Sequence, residues 1–125
     1  MKRILLALVL ALLWSVPAAA QVPPIQALLT AVTTGTSTAI RMDSNEHATI
    51  EVSWGSSTSA GAGVVEEAFD SGETFTWTTI GTFAWAAAEE LDTLHITPGL
   101  YRNVRVRITT TVVGGTVTIR AIVER

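Results

Sequence analysis

Asp70 and Glu73 stand three residues apart in FDSGETFTWTTIG, with Glu66-Glu67 just before them and Glu89-Glu90 further on. Carboxylates at such spacing can hold a calcium ion or act together as acid and base. A calcium loop of the EF-hand kind needs oxygen ligands at fixed offsets over about twelve residues, closed by a bidentate Glu. Asp70-Ser71-Gly72-Glu73 offers two carboxylates and no such continuation. An acid–base pair must converge across a substrate, whereas Glu66-Glu67 and Glu89-Glu90 are chain neighbours that point to opposite faces of a strand. Asp-Ser-Gly is turn chemistry, in which Asp bonds its own backbone and Gly accepts φ > 0. The stretch is expected to be a hairpin corner; calcium binding by the acidic loop 66–73 is the alternative.

Other reactive residues lack partners. His47 and His95 are the two histidines, and a metal would need further ligands from elsewhere. Asp92 could orient His95, and serines cluster from Ser53 to Ser59, but the nucleophile elbow Gly-x-Ser-x-Gly is incomplete. Ser59 follows Gly55 and Ser57 where the second glycine belongs. With no cysteine there is no thiol nucleophile, zinc–thiolate site or disulfide framework. The expectation is a protein that is not an enzyme and carries no cofactor. The residues left for a binding surface are Trp85, taken as the exposed aromatic, Tyr101, and the strand-face arginines Arg105, Arg107 and Arg120. These arginines read first as solvated faces and second as ligand contacts. Trp54 and Trp77 fall in phase with apolar strand faces and are expected inside.

The elements that must position these residues begin after an export segment. Met1-Lys2-Arg3 is basic, Ile4 to Trp14 is apolar, and Pro17 precedes Ala18-Ala19-Ala20. That order is a secretory signal, too short to span a bilayer core that takes ~20 residues. Residues 1–20 are read as signal peptide and 21–125 as a single domain, exported to the periplasm or beyond. Removing Lys2 and Arg3 leaves six basic residues against eleven acidic ones, a formal charge of −5 with no lysine. Nucleic acid is thereby disfavoured as a partner, since phosphate binding draws on clustered Lys and Arg. Membrane contact is expected through the signal segment alone.

The domain reads as all-β: an antiparallel β-sandwich, jelly-roll-like, of about seven to eight strands after the signal helix. Ile25 to Asp43 is ambiguous between helix and strand, and its threonines and Gly35 favour strand. Ala48, Ile50, Val52 and Trp54 alternate with Thr49, Glu51 and Ser53, the period of a half-buried strand. Gly55 to Gly63 is expected as a loop, VVEEAF as a short strand, and Ala86 to Glu90 as a single helical turn. Two long strands follow Pro98-Gly99. Val104, Val106, Ile108, Thr110 and Val112 share the inward phase on one, and Val117, Ile119, Ala121 and Val123 on the other. Gly114-Gly115 between them predicts a type I′ hairpin. Val106 would then meet Val123, Ile108 Ala121, Arg105 Glu124 and Thr109 Arg120.

The order of these pieces resembles small β-sandwich virion accessory proteins of tailed bacteriophages, of the capsid-decoration, head-fibre or tail type. The similarity is carried by LLTAVTTGTSTAIRMD, by HATIEVSWG with GVVEEAFDSGETFTWTTIGTF, and by ITPGLYRNVRVRITTTVVGGTVTIRAIVE. It differs from that family's compact Asp-Gly-Gly-Thr-Thr-Trp turn in the longer Asp70–Trp77 stretch, and in the secretory start. The resemblance implies a non-catalytic structural protein of the virion, with self-association or capsid and tail proteins as partners. The export signal supports an alternative, a bacterial surface or carbohydrate-binding module with a glycan partner. Intact-mass measurement after expression in a Sec-competent bacterium is expected to give a chain beginning at Gln21; recovery of the uncleaved chain from membranes would refute the signal reading.

Overall fold

The computed structural model describes residues 24–69, 76–87, 91–99 and 102–125. The signal segment, Asp70, Glu73, Glu89, Glu90 and Tyr101 lie outside them. The described residues form eight strands: β1 (Ile25–Val32), β2 (Ile40–Met42), β3 (His47–Trp54), β4 (Ala60–Phe69), β5 (Thr78–Ala84), β6 (Leu91–Ile96), β7 (Arg102–Val113) and β8 (Val117–Glu124). They make two four-stranded antiparallel sheets, β1-β8-β3-β6 and β2-β7-β4-β5, which close on one hydrophobic core.

Alternation is realised most fully in β3 and β8. Ala48, Ile50, Val52 and Trp54 are buried, as are Val117, Ile119, Ala121 and Val123. From the second sheet come Ile40, Met42, Val65, Phe83, Val104, Val106 and Val112. The ambiguous segment from Ile25 is a strand, but an irregular one. β1 shifts register twice against β8, and Ala31 takes φ 49° while its N–H donates to Thr118 Oγ1. Such bulges bend a strand and let it change sheets. The chain then runs along β7 of the other sheet: Val112 N–H donates to Thr33 O, Ile108 N–H to Gly35 O, and Ser37 N–H to Val106 O, each at 2.9 Å.

The expected closing hairpin does not form. β7 lies between β2 and β4, whereas β8 lies between β1 and β3 in the opposite sheet. Of the two turn glycines only Gly114 has positive φ, 79°, and a type I′ turn needs both. Val113 O accepts from Ser59 N–H and Thr116 O from Gly55 N–H, so the two ends are held by the β3–β4 loop. The inward residues are nevertheless the expected ones, except that Ile108 is only half-buried and Thr110 is exposed. Alternation assigns a face to each residue; it does not say whether two such faces lie side by side or across a core.

The strand expected to start at Val64 begins at Ala60, displacing the end of the Gly-rich loop. Gly63 is required there, since a Cβ would lie 2.3 Å from Phe83 Cζ and 2.8 Å from Arg107 O. Phe83 in turn meets Trp54 at 6.1 Å between ring centroids, tilted by 54°. This contact of β5 with β3 wedges the two sheets together.

Denaturant melts should rank three changes. Ile119→Ala removes a fully buried side chain and should cost about 2–5 kcal/mol through lost burial and the cavity left. Gly63→Val should cost at least as much, because Phe83 has to leave its place. Thr111→Ala, on the solvent face, should stay within about 0.5 kcal/mol of the parent.

Candidate functional site

The polar face of the β2-β7-β4-β5 sheet is organised by a bulge. β4 and β5 pair Val65 with Gly81 but Glu66 with Thr79, so Ile80 is an extra residue on β5. That insertion reverses the parity of alternation. Residues before it, Thr79 and Trp77, belong to the outer face, while Phe83 and Trp85 after it turn inward. The two tryptophans therefore exchange their expected places. Trp85 is half-buried against the core, its N–H bonded to Gly61 O. Trp77 lies outside, with the Arg105 guanidinium 4.0 Å from its ring centroid, a cation–π contact.

Glu66 is opposite Arg105 across the β4–β7 ladder, and Arg107 is two residues along on the same face. Arg105 Nε donates to Glu66 Oε2 at 2.8 Å; Arg107 Nε and Nη2 donate to Oε1 at 3.2 and 2.6 Å. The Glu66 side chain is only 5% exposed, against 25% for Arg105 and 43% for Arg107. A carboxylate thus lies at the bottom of the face with two guanidinia and an indole over it. Hydrogen bonds from Arg107, joined by those from Arg105, hold the Glu66 carboxyl below its ordinary value even though burial opposes its ionisation. The same contact raises Arg107.

Glu66 is locked as an ion. General acid–base catalysis wants a group whose proton affinity matches the working pH, and this carboxylate has been pushed the other way. What the arrangement does is fix two long cationic side chains in one orientation. Arg41, opposite Asn103, belongs to the same face. Among the described residues this face carries Arg41, Arg105 and Arg107, the last two over the buried Glu66.

Of the arginines read from the sequence, the fold brings Arg105 and Arg107 together and separates Arg120. Arg120 lies on the outer face of the other sheet, opposite Glu51 and 3.9 Å from it. Arg105 is paired to Glu66 and not to Glu124, which instead meets His47 at 3.0 Å. Sequence reasoning missed Glu66 and Trp77. Two arginines at i and i+2 on one strand are a signal for an acid on a neighbouring strand, but which strand is a tertiary matter.

The remaining polar contacts tie the ends of the sandwich. Arg102 pairs with Glu67 at 2.8 Å and also donates to Thr97 O, linking β4 and β7 to the chain leaving β6. At Arg125, Nε lies 3.0 Å from Glu46, whose other oxygen accepts from Asp43 N–H. The Asp43 hydrogen bond, with Arg125, lowers the Glu46 carboxyl. Among the described residues no three His, Asp or Glu side chains gather as a metal site. No protein-family model matches the chain, and comparison with curated proteins gives no match.

A carboxyl held below its unfolded value stabilises the fold above that value, near 4.5, and loses the contribution as pH falls through the folded one. Glu66→Gln should therefore cost about 1–3 kcal/mol at neutral pH, through lost charge-assisted hydrogen bonds. The gap from the parent should narrow in melts repeated at increasingly acid pH. A gap independent of pH would show that the carboxylate charge is not what holds the arginines.

Proposed function

We propose that the protein is a non-catalytic structural and binding module that docks on an assembly through the outer face of the β2-β7-β4-β5 sheet. The observation that carries this reading is Glu66, buried and ionised beneath Arg105 and Arg107, with Trp77 packed on Arg105. Side chains fixed before contact lose little freedom on binding, and Arg with Trp are the types that dominate protein interfaces. The strand order supports a finer description. Eight strands ordered 1-8-3-6 and 2-7-4-5, with only β4 and β5 adjacent in both chain and sheet, read as a jelly roll. Together with the family resemblance, this favours a virion accessory protein of a tailed phage, with capsid or tail proteins as the surface it meets.

The secretory order of Met1 to Ala20 favours a second reading, an exported surface module whose basic face meets a glycan. Mass spectrometry separates the two. Gradient-purified phage particles induced from the source strain should contain the chain, and Arg107→Glu should deplete it from them. Its recovery only in particle-free periplasm or supernatant would overturn the virion role and leave the exported module.

A further inference from the structure

An edge strand presents unpaired backbone N–H and C=O groups that another chain can extend, and folded proteins guard such edges. Three of the four edges here are guarded. β1 breaks register twice and turns left-handed at Ala31. β2 has three residues. β5 is bulged at Ile80. The fourth, β6, is regular. Its six residues pair with β3 without a register shift, from Ala48↔Ile96 to Ser53↔Leu91. It contains no proline, glycine or lysine, and no residue of positive φ. Its single charge is Asp92, second from the start and half-buried in phase with Leu94 and Ile96, so what distinguishes β6 from the other three edges is its regular pairing. Among the described residues, no backbone group bonds its free side. Leu91 is 52% exposed, and Thr93 and His95 also face solvent.

We propose that β6 is a self-pairing edge, on which the β6 of a second copy docks antiparallel about a twofold axis. A backbone edge is satisfied by a strand, and this strand complements itself. Sheet faces stay in phase when each Leu94 lies beside its symmetry mate. Thr93 then opposes His95. The same pairing of residue types already occurs on the other side of the strand, where Thr49 Oγ1 and His95 Nδ1 lie 3.0 Å apart across the ladder. Asp92 then lies beside Ile96 toward each end of the shared ladder. The β1-β8-β3-β6 sheet becomes eight strands wide, with the basic face of each copy left uncovered.

Sedimentation velocity of the purified protein should show a concentration-dependent dimer, because one strand pair makes a small interface. Thr93→Lys places a charge on the edge without touching the core; it should weaken the dimer by about tenfold or more with the circular dichroism spectrum unchanged. The chain has no cysteine, so an introduced thiol has no competitor. Oxidising a mixture of Thr93→Cys and His95→Cys chains should give the interchain disulfide far faster than the same mixture with Thr111→Cys in place of either. A monomer at all concentrations, a dimer indifferent to Thr93→Lys, or equal crosslinking at Thr111 would overturn the proposal.

Discussion

With no disulfide available, the two sheets are held together by the burial of one face of each, and everything else in the molecule is arranged around that need. The core is built mainly from Val, Ile and Ala on β3, β7 and β8, with Met42, Trp54 and Phe83 filling the wider gaps. Branched residues suit a pleated, half-buried surface and lock into few rotamers. The large aromatics find room because β4 offers glycine opposite them. Gly61 lies beneath Trp54 as Gly63 does beneath Phe83, so a stretch that looks like a flexible loop is in part a strand narrowed to admit two rings.

Burying one face leaves each sheet a polar one, and here the two outer faces differ in kind. On the β1-β8-β3-β6 sheet, Glu51, Arg120, His47 and Glu124 form ordinary exposed pairs. Pairs of that sort contribute little to stability. On the other sheet the acid is underneath and the arginines above. A buried carboxylate left alone would be costly, so the guanidinia are held to it, and this gives the face its rigidity. The bulge at Ile80 belongs to the same device: it ends the β5 alternation early enough to put Trp77 over Arg105 while keeping Phe83 in the core.

The proposed docking face and the proposed edge are separate surfaces. One uses side chains of β4 and β7, the other the backbone of β6, at the margin of the opposite sheet. Guarding three edges and leaving one regular fits a protein that adds one neighbour in a defined direction, where four open edges would favour unlimited pairing.

How far the sequence could be read follows from what alternation measures. A period of two reports which side chains leave water, and that set was legible in β3, β7 and β8 nearly residue for residue. All-β class, the two-faced strands and the absence of a thiol framework needed nothing more. Alternation carries no information about neighbours, so β7 and β8, joined by Gly-Gly, read equally well as a hairpin and as strands facing each other across the core. Tertiary structure decided between them, because the β3–β4 loop captures both ends of the turn. One inserted residue, Ile80, inverts the parity that pattern reading assumes to be continuous, and so Trp77 and Trp85 changed sides. Glu66 reads as one of two adjacent acids; only the pairing of β4 with β7, strands 35 or more residues apart in the chain at Glu67–Arg102 and beyond, made it the anchor of Arg105 and Arg107. Local chemistry determined which residues turn inward, and long-range pairing determined what each one meets there.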